Sequence, residues 1–405
     1  MSTNWNLISL GDLGVLRFRG ADAVRFLQGQ VSNDVERLSG ERSQLAGYHN
    51  PQGRTIALLR LVQLAPDDVV AVLPRELIAT VAGRLGKFVL RAKVKIADDS
   101  AQWRVEGLVA PRGADVPGAE RHAASESADT AADREDAGTA AAFEARAKSW
   151  AAAQFEQARA VAATAGELSS AAAQLEEAES VVPLPLASAL MLPEAVHAQS
   201  LSGGTVIVRV GAVPARWLVL SPAGEPAPLA GCDAAVRDVW RLLDIADGEA
   251  QVYAATSEEF VAQMLNLDAL DAIAFDKGCY TGQEVIARAH YRGRVKRRLQ
   301  RFVSRGVATL AVGESGTLGD GRAFKVVEAV SLTDGRCEFL AVAPLVGGAT
   351  GGAEAAGAAS VGAGAAAEAS AGVGASAGGD TTAQTTRSAL VIDAEVLTLP
   401  YPLPE

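Results

Sequence analysis

The chain contains few of the residues that build disulfide frameworks and metal sites. Its 405 residues include only three cysteines, Cys232, Cys279 and Cys337, and four histidines. The cysteines lie far apart without a CxxC pair, and the histidines form neither an HxH nor an HExxH pattern. These absences exclude a disulfide framework and argue against a zinc site. They also leave too few thiolates for the four-cysteine ligation typical of iron–sulfur proteins. We therefore expect no bound metal.

Long apolar runs are also missing. No window approaches ~18 uncharged apolar residues, the length of a membrane-spanning helix. The first residues lack the basic region and apolar stretch of a signal peptide. Hydrophobic residues nevertheless make up 49% of the chain, enough for a large core in two or three domains. We expect a cytoplasmic protein without a membrane partner.

The formal net charge of −11 is concentrated in two segments of unusual composition. Residues 111–180 contain 13 acidic and 6 basic side chains, and residues 347–386 contain 3 acidic and no basic ones, so the remainder is nearly neutral. The first segment is rich in Ala and acidic residues, which predicts an insert that is partly disordered and partly helical. The second consists mostly of Gly, Ala and Ser, which predicts a flexible loop.

Strand-like and helix-like patterns alternate in the rest of the chain. There is no βαβ regularity and no GxGxxG, so the pattern favours an α+β fold over a Rossmann domain. Apolar periodicity predicts strands over 7–19, 54–64, 69–73, 94–97, 103–110, 205–210 and 216–220. It predicts helices from Asp22 through Val35, over 75–90 and over 234–245, and the composition of 50–53 indicates a turn.

The C-terminal part contains short β-like runs. They cover 300–303, 324–329, 337–344 and 388–399, and the Gly/Ala/Ser segment interrupts them. A flexible excursion inside a β-run predicts a small β-barrel with an enlarged hairpin loop.

The most informative stretch is DKGCYTGQEVIAR, residues 276–288. Thr281 and Glu284 fit a capping box, which predicts a helix from there to about Tyr291, ending near Gly293. Cys279 would then lie just before the helix N-terminus, two residues after Lys277. The helix dipole and the ammonium both favour a thiolate.

Two interpretations of this stretch remain open. In the first, Cys279 is a reactive thiol, and Gly278 and Gly282 allow close backbone approach or unusual dihedral angles. In the second, Cys279 is a small buried residue in a tight turn.

Basic residues follow the motif, with no acidic residue between Val285 and Glu314. They are Arg288, Arg292, Arg294, Lys296, Arg297 and Arg298. The cluster suits an anionic ligand such as a folate tail, a phosphate or RNA. The alternative is a solvated basic helix end. Tyr280, His290 and Tyr291 lie among these charges and offer flat groups to a heteroaromatic ring.

The string KGCYTGQE at 277–284, with Arg288 and the YRG at 291–293, resembles the signature of the folate-binding YgfZ family. These proteins are relatives of the glycine-cleavage aminomethyltransferase, the T-protein. Shorter agreements lie at 26–31 with 33–34, 53–54, 90–94, 264–267 and 399–402. The resemblance covers nearly the whole chain except the two unusual segments.

The resemblance implies a T-protein-like fold of three lobes around a central channel that binds tetrahydrofolate or a derivative. Residues 1–110 and 181–296 would form the folate-binding lobes, and 297–346 with 387–405 the C-terminal β-barrel. It also implies a role in tRNA modification and in making or repairing iron–sulfur clusters in client proteins. The family's folate-contacting tryptophan matches Trp240, whereas Leu13 stands where a second aromatic residue sometimes occurs.

The leading hypothesis is that the protein is a folate-dependent accessory factor rather than a classical enzyme, and that it acts as a monomer. Cys279 would be the working thiol and Lys277 its electrostatic activator. Five residues would shape the motif loop, namely Gly278, Tyr280, Gly282, Gln283 and Glu284. Four would bind folate, namely Trp240, Arg288, Tyr291 and Arg292.

Two other classes of function compete with it. A one-carbon transferase, such as an aminomethyltransferase, needs a carboxylate for proton handling, and Asp34 and Asp276 are candidates. A nucleic-acid-binding module would use residues 288–298. The nearly neutral core and the absence of RNP-like motifs disfavour that module, so nucleic acid is not an expected partner.

Overall fold

The computed structural model describes residues 5–110, 191–212, 214–225, 237–293, 295–346 and 390–404, and the backbone of 233–235. The predicted insert at 111–180, the predicted loop at 347–386 and Cys232 lie outside these residues. None of the described helices is long and apolar enough to cross a membrane.

Three β-sheets and four α-helices form the described part of the chain. The helices are α1 (Ala23–Gln28), α2 (Ile78–Gly86), α3 (Arg237–Asp247) and α4 (Gln283–Arg292). Sheet I is antiparallel, in the order β3-β4-β5-β2-β6. Its strands are β2 (Leu13–Arg19), β3 (Gln44–His49), β4 (Thr55–Ala65), β5 (Asp68–Pro74) and β6 (Lys95–Asp98).

Sheet II has the order β11-β1-β7-β10-β9-β8. Its strands are β1 (Asn6–Ser9), β7 (Trp103–Val109), β8 (Gln199–Ser202), β9 (Thr205–Gly211), β10 (Arg216–Pro222) and β11 (Asp233–Ala235). Sheet II therefore joins strands that lie on both sides of the predicted insert.

Sheet III has the order β16-β13-β14-β15-β12-β17. Its strands are β12 (Arg297–Ser304), β13 (Ser315–Leu318), β14 (Ala323–Ser331), β15 (Cys337–Pro344), β16 (Val391–Ile392) and β17 (Ala394–Leu397). The two edge strands, β16 and β17, are separated by one residue of chain, so the edges must lie close together. The sheet is thus a nearly closed barrel, as predicted.

One hydrophobic cluster joins the sheets. It runs from β4 and β5 of sheet I through Leu242 and Ile245 of α3 to Leu299 and Leu340 of sheet III, all buried. Because burial of apolar area is the main favourable term in folding, this shared core holds the lobes around a common centre.

The strand predicted over 7–19 is wrong in one respect, because it is two strands. β1 belongs to sheet II and β2 to sheet I, and the chain changes sheet at residues 10–12. Both strands carry the same apolar alternation, so the periodicity hides the break.

The first two predicted helices are shorter than expected. α1 ends at Gln28, and its predicted cap Asp22 instead accepts a hydrogen bond from the backbone N–H of Lys93. The segment 75–90 is a 3-10 turn followed by α2, which ends at Gly86, and Phe88 beyond it is 51% exposed. At α1, a contact from a distant segment replaces the predicted cap.

Candidate functional site

Lys277 fixes the motif loop to the end of α1 and the segment that follows it. Its ammonium donates hydrogen bonds to the backbone carbonyls of Gln28, Val31 and Asn33, at 2.7, 2.9 and 2.6 Å. These carbonyls lie at and after the end of α1, where helix carbonyls have no partner within the helix and a cation is favoured. All three donors of the ammonium are therefore used.

The surroundings of this ammonium are largely buried. Burial lowers the pKa of Lys277 to about 8, against the opposing effect of Asp34 and Glu36. Its nitrogen lies 5.3 Å from the ring centroid of Tyr280, which is buried and faces the ring of His49. Lys277 therefore holds two parts of the chain together, because its N–H groups donate to backbone carbonyls.

Cys279 is exposed to solvent, in contrast to Cys337. Burial raises the pKa of the Cys337 thiol to about 11, which leaves it protonated at neutral pH. The alternative that Cys279 is a buried turn residue is therefore wrong. Among the described residues no group of three His, Cys, Asp or Glu side chains could hold a metal ion.

Gly282 lets the loop pack against the β3–β4 turn. Its φ is +84°, and a Cβ there would lie 2.6 Å from the carbonyl oxygen of Asn50. Gly53 in that turn likewise has φ +71° and lies against Val285. The close approach predicted at Gly282 is confirmed, whereas at Gly278 an added Cβ would meet no atom within 4 Å.

The predicted capping box does not form. Helix α4 begins at Gln283, Gly282 is its N-cap, and no side chain caps its first turn. Glu284 forms an exposed pair with Arg288 at 3.3 Å, and the side-chain amide of Gln283 approaches the carbonyl of Lys277 at 3.4 Å. Packing of the glycine against Asn50 takes the place of the cap. The predicted C-terminus near Gly293 is confirmed.

Helix α4 is held mainly at one residue. All ten of its residues are described, and only Ile286 is buried. The side chain of Gln263 donates a 2.7 Å hydrogen bond to the carbonyl of Ile286. Arg288, Tyr291 and Arg292 are exposed on this helix.

Three rings are grouped at the end of α4. The rings of Phe275 and His290 stack with centroids 3.8 Å apart, and Tyr291 lies edge-on to His290 at 4.7 Å. Phe275 is half-buried, while the side chains of His290 and Tyr291 face solvent.

Several of the short sequence segments that resemble the YgfZ family, or residues directly beside them, come together around the motif. Residues 28–33 accept from Lys277, the turn at 50–53 packs on Gly282, and Gln263 binds α4. The proton-handling candidates Asp34 and Asp276 also lie here, each paired with Arg37 at 2.9 and 3.0 Å. These residues are up to about 250 positions apart in sequence, so only the fold shows their proximity.

Trp240 lies elsewhere, in the hydrophobic cluster that also contains Leu13. Its ring packs against Gly107, where an added Cβ would lie 2.3 Å away, and beneath the guanidinium of Arg216, 4.8 Å from the ring centroid. Trp240 is 4% exposed.

A cavity of about 670 Å³ lies where the lobes meet. Its lining residues are Ser9, Gly11, Asp12, Glu76, Arg237, Arg241, Tyr253, Ala254, Ala255 and Val312. Some of them come from the crossing between sheets II and I and from the 3-10 turn before α2. The others come from α3, from the segment that follows α3, and from the β12–β13 connection.

Ion pairs hold the polar wall of the cavity in place. Arg237 donates two hydrogen bonds to Asp12, at 2.8 and 2.9 Å. Arg241 is paired with Glu328, which is buried and also accepts a 2.7 Å hydrogen bond from the hydroxyl of Tyr253. Burial alone would lower the pKa of Arg241, but the Glu328 carboxylate outweighs it and the net pKa is raised. Burial, and then Glu328, raise the pKa of Tyr253.

The cavity combines polar and apolar groups. Two carboxylates, two guanidinium groups and one phenol share the lining with Ala254, Ala255 and Val312. The volume lies within the roughly 300–1,000 Å³ typical of small-molecule sites. A flat, mostly apolar ring with hydrogen-bonding edges fits this chemistry.

None of the site residues predicted from sequence lines this cavity. Trp240 comes nearest in sequence, between Arg237 and Arg241 on α3. Those two arginines were missed, although their spacing of four residues places them on one helical face. Asp12 and Glu76 gave no local signal, because their position depends on where the chain changes sheet.

Known proteins named tRNA-modifying protein YgfZ match most of the chain. That of Serratia proteamaculans (strain 568) is 28% identical over 298 residues, covering 72% of this chain and 69% of the relative. That of Yersinia pseudotuberculosis serotype O:1b (strain IP 31758) is 27% identical over 341 residues, covering 81% of each. No family model matches the chain.

Among solved structures, the glycine cleavage system aminomethyltransferase T from Bartonella henselae has the same fold. The TM-score is 0.51, over 84% of this chain and 79% of that one, at 12% identity. The predicted fold class is therefore confirmed.

Proposed function

We propose, from the premise that this chain is a YgfZ-family protein built on the aminomethyltransferase T fold, that it binds a reduced folate in the central cavity. In this proposal it supports the assembly or repair of iron–sulfur clusters in client enzymes, including enzymes that modify tRNA. The observation that carries the proposal is the cavity at the junction of the lobes, with its paired guanidinium and carboxylate groups. The relatives named tRNA-modifying protein YgfZ support the link to tRNA modification.

Tetrahydrofolate would supply a pterin ring that has hydrogen-bond donors and acceptors along its edges. Asp12 and Glu76 can accept hydrogen bonds from ring nitrogens, and Arg241 can donate to a carbonyl oxygen. Ala255 and Val312 would contact the ring faces. In this proposal Trp240 acts indirectly, because its packing supports the helix that carries Arg237 and Arg241.

The thiol of Cys279 would act on the client and not on the folate. It is exposed, and it does not line the cavity. Arg288, Tyr291 and Arg292 are exposed on the neighbouring helix and do not line the cavity, so in this proposal they would contact only a folate tail that extends from it.

Thermal unfolding with and without tetrahydrofolate tests the folate site. A ligand at 100 times its Kd stabilises the native state by about 2.7 kcal/mol, which raises the Tm. The variant Val312→Trp narrows the cavity and should reduce this shift, whereas Val307→Trp, at an exposed position in the same β12–β13 connection, should keep it. No shift in the wild-type protein, or an equal shift in Val312→Trp, would reject the site.

Complementation in cells tests the thiol. We expect Cys279→Ala to lower the activity of iron–sulfur enzymes while its folate-induced Tm shift stays normal. The matched control is Cys337→Ala, whose thiol is buried and protonated. Full support of client activity by a folded Cys279→Ala protein would show that the thiol is not used.

Folate-dependent aminomethyl transfer is a second candidate function. The observation in its favour is the pair of carboxylates in the cavity lining, Asp12 and Glu76, because such chemistry needs a proton-handling group. Purified protein with tetrahydrofolate and a carrier-bound aminomethyl group should then form methylenetetrahydrofolate, ammonia and the free carrier, and Glu76→Gln should slow the reaction. Absence of product under conditions where folate binds would reject this candidate.

A further inference from the structure

The exposed side of α4 is poorly covered by the rest of the protein. We use the name α4 face for the exposed end of this helix, with Arg288, Tyr291 and Arg292 on one side, His290 on the adjoining side in contact with Tyr291, and Lys296 nearby, all exposed. An isolated helix shorter than ~12 residues is marginal in water, and most helices are stabilised by a packed face. α4 has ten residues and buries only Ile286, so the face is one that a partner could cover.

The rings on this face form a platform. Phe275 lies half-buried beneath His290, with the two ring planes only 16° apart. This stacking fixes the orientation of the imidazole ring. Tyr291 is 68% exposed at the edge of the stack. Exposed flat rings on a rigid base are the groups on which unpaired nucleobases stack.

The charge of this face is positive. Arg288, Arg292 and Lys296 are cationic, and the one acidic residue within α4, Glu284, forms a solvent-exposed pair with Arg288. Such exposed pairs contribute little free energy, so the arginine is readily available to a stronger anion. The exposed acid nearest in sequence, Asp276, is already paired with Arg37 at 3.0 Å.

We propose that the α4 face binds single-stranded RNA. Bases would stack on Tyr291 and His290, while Arg288, Arg292 and Lys296 contact the phosphates. An acidic protein would use the cations but would have no need for the rings. The proposal departs from the expectation that nucleic acid is not a partner. That expectation rested on the nearly neutral core and the absence of RNP-like motifs, whereas this surface is a local cluster of cations and rings.

Fluorescence anisotropy with a labelled 12-nucleotide oligouridine tests the proposal. We expect Tyr291→Leu to weaken binding about tenfold, in line with the loss of one base stack. The double variant Arg288→Gln/Arg292→Gln should reduce the slope of log K against log salt by about 1.4, because each phosphate contact in a single strand contributes about 0.7. The control Arg305→Gln/Arg336→Gln makes the same charge change in two connections between strands of sheet III, where both side chains reach solvent, and should bind as the wild type does.

Competition with polyglutamate separates RNA from an acidic protein. If polyglutamate of equal charge competes as well as RNA and Tyr291→Leu binds normally, the face recognises acidic protein and the proposal fails. Equal binding by the α4 variants and the wild type would also overturn it. The folate-induced Tm shift of the same variants should stay normal, so failure of this inference is distinguishable from failure of the folate site.

Discussion

At the scale of single residues, Lys277 shows that the contacts of a side chain in the fold can differ from those that its sequence neighbours predict. Its spacing from Cys279 predicts an electrostatic activator, yet its three donors bind carbonyls of residues 28–33. An ammonium held in this way fixes the position of the loop that carries Cys279.

Lys277→Met should destabilise the protein by about 3 kcal/mol. The substitution removes three charge-assisted hydrogen bonds and leaves partly buried carbonyls without a donor. Urea unfolding measures the change, with Lys87→Met at an exposed position as the control. A loss below about 1 kcal/mol would show that water replaces the ammonium.

The two described cysteines should differ in reactivity. Iodoacetamide at pH 8 should modify Cys279 within minutes and Cys337 only after unfolding, because the first is exposed and burial raises the pKa of the second to about 11. Peptide mapping by mass spectrometry identifies each site. Rapid labelling of Cys337 in the native protein would contradict the described packing.

At the scale of elements, α4 is placed by a contact between two turns. Gly282 and Gly53 both adopt positive φ, and each backbone approaches the other's segment closely. This contact defines where the helix begins, a task that the sequence pattern assigns to Thr281 and Glu284.

Gly282→Ala should cost at least about 2 kcal/mol of unfolding free energy. The cost combines the left-handed backbone with a Cβ 2.6 Å from the oxygen of Asn50. The matched control is Gly278→Ala, where the space is open and the change should be within about 0.5 kcal/mol. Equal stabilities of the two variants would show that the turn contact is not rigid.

At the scale of the whole molecule, the fold contains two histidines that their surroundings keep neutral, His49 buried and His197 half-buried. Burial lowers the pKa of His49 to about 3, and within the described residues neither of its ring nitrogens has a hydrogen-bond partner. Burial, followed by Arg60 and Arg42, lowers the pKa of His197 to about 3. Because Arg60 can only donate, the Nδ1 of His197 accepts its 2.7 Å hydrogen bond and the proton lies on Nε2.

Stability should therefore fall as the pH drops below about 6.5. In the unfolded chain each histidine binds a proton near pH 6.5, whereas in the folded protein it does so only near pH 3. Between pH 7 and pH 5 each histidine should lower the free energy of unfolding by about 2 kcal/mol. Urea unfolding of wild type and His49→Leu at both pH values isolates one histidine: the wild type should lose about 2 kcal/mol more than the variant. Parallel losses would show that His49 is protonated in the fold.

Local patterns in the sequence determined the strands β4, β5, β7, β9 and β10, the turn at 50–53 and the end of α4. They succeed because period-2 and period-3.6 burial and turn chemistry act over a few residues. The signature around Cys279 likewise indicated the resemblance to proteins named tRNA-modifying protein YgfZ.

Tertiary structure decided which distant groups meet. Lys277 reaches carbonyls more than 240 residues away in sequence, and Asp12 faces the cavity only because the chain changes sheet beside it. No local pattern records such pairings, since their free energy comes from contacts that exist only after the lobes have packed around the shared core.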